Sequence, residues 1–584
     1  MTSPSPQPTQ NTLVHCALDV WRRLGPTSRV VVLTGAGVAV VGLLSLLLSL
    51  SRWASVEVPA PGGNVREGVV GNPRFFNPLL ATLPAERDIT RLVFAGLTRL
   101  DASGEFVPDL AQEIARLPDD PTQYRVVLRE NARFHDGTPL TSEDVVFTYR
   151  LAQDPAYAPT LAGRYSGIKL TAESERTIIF SFPQAAAHQA LDLLRLGILP
   201  RHIWENTAPE TFATHPANLK PVGAGPFVFT GLTRDESDNI AQVSLRSWRD
   251  APRQLKISSL QFLFFPTHDL LEDALANGAI DTTANLPLST FFSLPSRVQQ
   301  RHTLYQRPTN RVFALFFNQN QEAALKDVRA RRALDLLIDR RQLIENVLKS
   351  EAWATRGPLP PTEAFQPSTV NAEQRAQAER LLQEAGWGQG EDGMWRFGKD
   401  TSEGFAIVIR TGTQQPLPRV AEFIANQWSS AGIPTRVETF DTGALAAEVL
   451  RPRLYEVLLF GMVISTEGDL YPFWHSSQRN DPGVNVAQYA NIKVDGALEK
   501  ARSATSTRER QAALDTVVTT LLEEVPASFL FTPLFTYFAR TDVQGIILPP
   551  VVSTPEDRFV QIDQWYRETD TLWKPVAALM GITR

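Results

Sequence analysis

"FAIVIRTGTQQPLPRVAEFIANQWSSAGIPTRVETFDTGALAAEVLRPRLYEVLLF" spans Phe405 to Phe460, and its reading decides the fold. "FAIVIR" (405–410) is a short apolar run, the pattern of a strand buried on both faces. Val420, Phe423, Ile424, Trp428 and Ala431 then recur at helical spacing, and Gly432 suits the left-handed residue that closes a helix. "TRVETF" (435–440) predicts a second strand, "GALAAEVL" (443–450) a short helix and "YEVLLF" (455–460) a third strand. Strand–helix–strand–helix–strand predicts a doubly wound α/β sheet with right-handed crossovers.

The pattern extends upstream. Ala378, Leu381, Leu382 and Ala385 mark a helix closed by Gly386. Val328 to Ile338 predicts another, and Asp339 caps the next one, with Gln342 three residues on. "RVFALFFN" (311–318) is a strong strand, and "GPFVFT", "AQVSLRS" and "SLQFLFF" predict short strands within 222–265. With 584 residues the chain is long enough for two or three domains. A hydrophobic fraction of 43% excludes a disordered chain, and a net charge of −6 supplies no general attraction for nucleic acid. The single cysteine, Cys16, excludes an internal disulfide and any multi-cysteine metal site.

Near the N-terminus, Val30 to Leu50 is 21 residues without a charge. As a helix it would span about 31 Å, enough for the hydrocarbon layer. Arg22, Arg23 and Arg29 precede it and only Arg52 follows closely, so residues 1–29 are expected as a cytoplasmic tail, with everything after Leu50 outside. A cleaved signal peptide is the competing reading. Residues 51–65, rich in proline and glycine, read as a linker.

Several motifs invite a catalytic reading. In "RFHDGTPLTSEDVVFTYRLAQDP" (133–155), His135 and Asp136 adjoin a glycine and Glu143 and Asp144 follow. The same residues read better as scaffold: Asp136-Gly137 is a turn, Thr141 an N-cap with Asp144 three residues on, and Asp154-Pro155 a helix stop. "GMWRFGKD" (393–400) nearly fits a phosphate loop, but Asp400 stands where a hydroxyl would hold magnesium, and the residues between the glycines look like a hairpin. "PVGAGPF" (221–227) is a tight turn into a strand. No histidine pair at metal spacing and no G-x-S-x-G elbow is present, so neither a metal, a cofactor nor an enzymatic activity is expected. "FGMVISTEGDLYPFWHS" (460–476) differs, because it begins at the C-terminal end of a predicted sheet strand, where open α/β sheets bind ligands. Glu467 and Asp469 beside Tyr471, Phe473 and Trp474 suit an amine-bearing ligand. The alternative is a capped loop whose aromatic rings belong to the core.

Five motifs occur in one order: "LVFAGLTRLDASGEFVPDLAQEI" (92–114), "YRVVLRENARFHDGTPLTSEDVVFTYRLAQD" (124–154), "PVGAGPFVF" (221–229), "VRARRALDLLIDRRQLI" (328–344) and "AERLLQEAGW" (378–387). Together they resemble extracellular solute-binding protein family 5, the dipeptide- and oligopeptide-binding proteins of ABC importers, over roughly 62–550. The resemblance implies a two-lobed, periplasmic-binding-protein type II-like α/β fold with a hinge, preceded by the transmembrane helix at 30–50. Lobe I would be 62–310 with 529–584 returning to it, and lobe II 311–528, with hinge crossings near 309–318 and 526–536. It further implies a monomer that holds a peptide between its lobes, with separate permease and ATPase subunits as partners. Such a protein would be anchored by one pass in the cell membrane, its binding region at the bacterial cell surface or in the periplasm. Some relatives pair the ligand's amino group with an aspartate in the loop corresponding to 461–475, and Asp469 is the matching residue. Gly461-Met462 and Asp469-Leu470 depart from the family's usual Gly-Trp and Asp-Pro. An oligosaccharide, a metal chelate or a receptor or chaperone-like role on the same fold are the alternatives.

Overall fold

The structure, a computed structural model, describes residues 20–23, 25–184, 187–397, 406–504, 506–574 and 579. Most of the expected cytoplasmic tail, including Cys16, lies outside the described residues. The chain divides into two compact units, Met1–Pro61 with Glu568–Arg584, and Gly62–Arg567.

In the first unit a helix runs from Pro26 to Ala54. Proline suits its first turn, where the missing N–H would have had no helical partner. The helix is longer at both ends than the apolar run Val30–Leu50, and the segment Pro26–Leu43 is long and apolar enough to cross a membrane by length and composition. Ser55–Ala60, expected as part of a linker, is instead a strand paired antiparallel with Glu568–Trp573. Val56 and Val58 favour extended backbone, and Pro59 is tolerated because a two-stranded ribbon leaves each strand one open edge.

The second unit is organised around a twelve-stranded mixed sheet. Ala527–Arg540 is its long central strand. Through Ala527–Phe531 it pairs with Arg311–Phe317, and through Leu534–Arg540 with His302–Pro308. On one side the sheet continues through Val457–Val463, Ile407–Gly412 and Thr435–Phe440, the last two parallel as the crossovers predict. On the other it continues through Thr282–Ala284, Asn64–Val70, Ser259–Phe265, Ile240–Ser247 and Phe227–Arg234. A separate four-stranded sheet (Ala111–Arg116, Gln123–Leu128, Thr177–Ser181, Lys169–Ala172) and the ribbon Thr98–Leu100/Phe106–Pro108 complete this side.

The hydrophobic core is divided. One large cluster draws on residues between Val65 and Phe264 and between Phe535 and Trp565. Two others sandwich the sheet built on Arg311–Phe317. Phe313, Leu315 and Phe317 face one of them, and Val312, Ala314 and Phe316 face the other. This alternation puts both faces of the strand in apolar surroundings, which is why its sequence is apolar from Val312 to Phe317. The helices Val328–Leu336, Ala372–Glu384 and Leu417–Ser430 cover the first face. Ile492–Ser503 and Thr507–Glu524 cover the second. Between the large cluster and this sandwich the chain passes near Thr309 and Pro533, where the Thr309 amide donates to the Pro533 carbonyl at 2.8 Å.

Candidate functional site

The stretch Arg133–Pro155 is scaffold. Thr141 and Asp144 form a capping box for the helix Ser142–Gln153, and Asp154 ends it. Asp136 accepts from the Thr138 amide and lies 2.8 Å from the His202 ring, while Glu143 pairs with Arg201. His135 ties its turn to "PVGAGPF": the Gly223 amide approaches Nδ1 at 3.3 Å and Nε2 lies 2.9 Å from the Gly225 carbonyl oxygen. Burial lowers the imidazole to about 4, against a smaller opposing effect of that carbonyl. Position 223 must be glycine, because a Cβ there would meet the Val93 carbonyl oxygen at 2.1 Å. The phosphate-loop lookalike is a hairpin, Trp387–Gln389 paired with Trp395–Phe397, and its residues 398–400 lie outside the described residues.

The loop after the strand Val457–Val463 is built from its base upward. Asn310, beside the crossing at Thr309, holds the base: its Nδ2 donates to the Ile464 carbonyl at 2.9 Å and its own carbonyl accepts from the Ile464 amide at 2.8 Å. Gly468 turns the chain with a φ of 73°, and the Asp469 amide donates to the Ser465 hydroxyl. Asp469 then caps the short helix Tyr471–Trp474 by accepting from the Tyr471 amide at 3.1 Å. Arg502, in the last turn of Ile492–Ser503, reaches the same carboxylate from the side: Nη2 donates to Oδ2 at 2.7 Å and Nε to Oδ1 at 3.2 Å. His188 approaches from the other core, with Nε2 3.0 Å from Oδ2. Burial alone would raise the Asp469 carboxyl, but the hydrogen bonds from His188 and Arg502 outweigh it and hold it at about 2. The Arg502 guanidinium also stacks on the Tyr471 ring at 3.8 Å.

These groups line a cavity of about 420 Å³ with walls from both cores. Arg116, Tyr124, His188 and Leu191 come from one, and Glu467, Asp469, Arg502 and Arg510 from the other. Glu467 is the unusual member. Both of its carboxyl oxygens are inaccessible to solvent, and among the described residues neither makes a hydrogen bond of good geometry. Burial pushes this carboxyl up to about 7, and the negative charge of Asp192 adds to the effect. Its own backbone amide, Arg510 and the Ser465 hydroxyl offset only part of that. The Arg510 side chain, half-buried in the same wall, makes no ion pair or hydrogen bond among the described residues.

The five residues expected at the site therefore separate. Glu467 and Asp469 line the cavity. Tyr471 lies behind them as the platform for Arg502. Phe473 packs at the edge of the core, and Trp474 is fully buried against Phe316 and Phe529. The Trp474 ring lies in the core and does not line the cavity, because the turn held by Asp469 directs it into the sheet.

The description bacterial extracellular solute-binding proteins, family 5 Middle, matches residues 105–481. The chain belongs to this family. The oligopeptide-binding protein AppA of Bacillus subtilis (strain 168) is 25% identical over 499 residues, covering 83% of this chain and 88% of that protein. The periplasmic murein peptide-binding protein MppA of Escherichia coli (strain K12) is 24% identical over 556 residues, covering 88% and 96%. An unliganded open form of the MppA murein tripeptide binding protein superposes with a TM-score of 0.71 at 19% identity, over 89% of this chain and 99% of that one. AppA from Bacillus subtilis in complex with a nonapeptide superposes with a TM-score of 0.58 at 22% identity, over 88% and 100%. The two-lobed fold of family 5 is thus the fold of this chain.

His188, Arg502 and Arg510 went unnoticed in the sequence. Arg502 lies 33 residues from its partner Asp469, and His188 belongs to the other core. No local spacing rule links groups so far apart along the chain.

Proposed function

We propose that this protein captures peptides between its two lobes and delivers them to an ABC importer whose permease and ATPase are separate chains. The lobes in this reading are 62–310 with the returning segment from 529, and 311–528. The separate cores, with chain passages near Thr309 and Pro533, support that division. The observation that carries the reading is the cavity with walls from both cores, lined by Glu467 and Arg510, neither of which makes an ion pair among the described residues. A peptide with free ends carries both complementary charges. Its backbone would lie along the ribbon strand Phe106–Pro108, which lines the cavity and among the described residues pairs on one edge only. Asp469 holds Arg502 and His188 in place at the end of this cleft, with Glu467 in the wall beside it.

No chemistry is assigned to the cleft beyond binding. The helix Pro26–Ala54 serves as the membrane anchor in this reading, with the binding region on the extracytoplasmic side, and the protein acts as a monomer.

Thermal unfolding of the full chain in detergent with a panel of short peptides tests the function. Peptides that bind the folded state raise the melting temperature as their concentration rises above Kd. A panel without effect, alongside a shift with an oligosaccharide, haem or a metal chelate, would replace the peptide assignment and leave the binding-protein class standing. Alkaline washing of membranes and N-terminal sequencing test the anchor. A soluble product beginning after residue 54 would show a cleaved signal peptide instead.

A further inference from the structure

The ribbon Ser55–Ala60/Glu568–Trp573 brings a distant part of the chain to the end of the helix Pro26–Ala54. Its register pairs Ser55 with Trp573 at one end and Ala60 with Glu568 at the other. Ser55 directly follows the helix, so Trp573 lies at the helix end of the ribbon. Both chain connections to the unit Gly62–Arg567 leave from the opposite end. The strand changes character along its length in the same sense. Glu568 and Asp570 lie toward the remote end, and Leu572 and Trp573 at the helix end. Trp573 is 60% exposed, and six residues further on Leu579 is 89% exposed. The sequence "LWKPVAALMGITR" (572–584) has no acidic residue and places Lys574 directly after the tryptophan.

A membrane-spanning helix fixes the depth of this end of the ribbon. The apolar run ends at Leu50, and Ser51 to Ala54 carry the helix beyond the hydrocarbon. At the helical rise, Ser55 then stands about 7 Å outside the hydrocarbon edge. The polar headgroup layer on each face of a bilayer is about as thick. An antiparallel partner lies about 5 Å from the residue opposite, so Trp573 occupies the same layer. Tilt of the helix lowers that height and does not raise it. An indole suits this layer, its apolar rings turned to the acyl chains and its N–H to water. A lysine beside it reaches headgroup phosphates while its stem stays against apolar surface. Trp573 is thus exposed at the end of the ribbon to which the chain geometry brings lipid.

We propose that the segment from Leu572 to Leu579 is a second membrane contact, an interfacial anchor whose partner is the headgroup layer of the bilayer that the helix crosses. This rests on the reading of Pro26–Ala54 as a membrane anchor and goes beyond it. Trp573 and Lys574 hold the end of the ribbon at headgroup level, and Leu579 reaches toward the acyl chains. So short an apolar segment does not hold a protein on a membrane by itself. The helix makes its insertion an intramolecular event, so a weak contact suffices. A single helix would leave the attached body to swing about one peptide link. The second contact restrains the ribbon from which both chain connections depart, so the binding unit is tethered through a held ribbon rather than a free helix end.

Lipid quenching tests this on the full chain, reconstituted in vesicles of phosphatidylcholine with a minor share of phosphatidylglycerol. Cys16, the single cysteine, is replaced by serine. One environment-sensitive label is then placed at Val38→Cys in the helix, at Leu579→Cys, or at Glu568→Cys, all exposed positions. Spin-labelled lipids carry the quencher either at the headgroup or deep in the acyl chain. We expect the deep quencher to act on residue 38, the shallow one to act on residue 579 with a blue shift of its emission, and neither to act on residue 568. Trp573→Ser should lower the quenching at 579 by about twofold or more, while Trp573→Tyr should retain it. No quenching at 579 would overturn the proposal, leave the helix anchor standing and point to a protein partner, since these vesicles hold lipid alone. Equal quenching at 568 and 579 would also overturn it, because contact would then not belong to the helix end of the ribbon. No quenching at 38 would remove the anchor reading and the proposal with it. The three labelled chains keep Trp573, so the decision stands even where a Trp573 variant does not fold.

Discussion

Arg502 donates to both oxygens of Asp469, Nη2 to Oδ2 at 2.7 Å and Nε to Oδ1 at 3.2 Å. The Asp469 carboxylate is 7% exposed and the Arg502 side chain 25%, so the pair is shielded from solvent and held in a forked geometry. Asp469, the sequence's candidate for the ligand's partner, is thus engaged by the protein itself, and the nearby Glu467 is buried without an ion pair among the described residues.

Asp469→Asn should destabilise the fold by about 2–4 kcal/mol, because it leaves the Arg502 charge without its partner. The acid limb gives a second check. The Asp469 carboxyl is held at about 2, below its ordinary 3.8, so the stability it contributes is present above 3.8 and lost as pH falls through about 2. Denaturation midpoints of the variant should fall less steeply over that window. An unchanged midpoint at neutral pH would show that the pair contributes nothing.

Glu467→Gln should act in the opposite direction in the empty protein. A carboxyl raised to about 7 supports the fold below its unfolded value of 4.5, and that support is lost as pH rises through about 7. The amide cannot ionise. At about pH 8 the variant should therefore be more stable than wild type by about 1–2 kcal/mol, with the difference vanishing below about pH 5. Urea titrations at the two pH values measure it. A variant no more stable than wild type at high pH would contradict the neutral, unpartnered state.

His135→Leu removes both imidazole contacts to the glycine turn, leaving only the backbone bond from the His135 amide to the Gly223 carbonyl, and should cost about 1–3 kcal/mol at neutral pH. Burial holds His135 at about 4, so its contribution is present above 6.5 and lost as pH falls toward about 4. The variant should start lower but lose less stability across that interval. Parallel slopes for wild type and variant would show that His135 protonates freely in the folded state.

Arg331→Lys should destabilise by about 2–3 kcal/mol although the charge is kept. The buried guanidinium donates to four carbonyls, those of Leu325, Lys326, Glu524 and Val525, and so closes the end of the helix Thr507–Glu524. An ammonium group has three donors on one atom and does not span that arc. A midpoint within experimental error of wild type would show that the helix end is satisfied without the fork.

Much of the fold was legible because local pattern and tertiary role agreed. Val312 to Phe317 is apolar at every position as its strand has a core cluster on each face, and the alternating helices and strands within 407–460 follow from spacing alone. The box of Thr141 and Asp144 was legible for the same reason, since a cap is a contact across three residues. "SVEVPA" reads as linker because Pro59 lies in it and Pro61, Gly62 and Gly63 follow, while its partner strand Glu568–Trp573 lies some five hundred residues away. Trp474 was ambiguous because an aromatic ring near a carboxylate reads alike whether it meets ligand or core. Only the direction of the turn distinguishes the two.

The sequence by itself determined the class: two lobes of α/β structure, a membrane-length helix and the ordered motifs of family 5. The α/β pattern and the helix rest on local periodicity and on contacts between near neighbours, which a linear reading contains, and the two lobes on the resemblance that the ordered motifs carry. Only the tertiary structure decided which acid is paired. Asp469 and Glu467 are equivalent in sequence, both beside glycine in one loop. They differ because Arg502 and His188 arrive from distant segments and complete one carboxylate while leaving the other without a donor. The electrostatics of a buried group depend on what surrounds it in space, and folding alone brings those neighbours together.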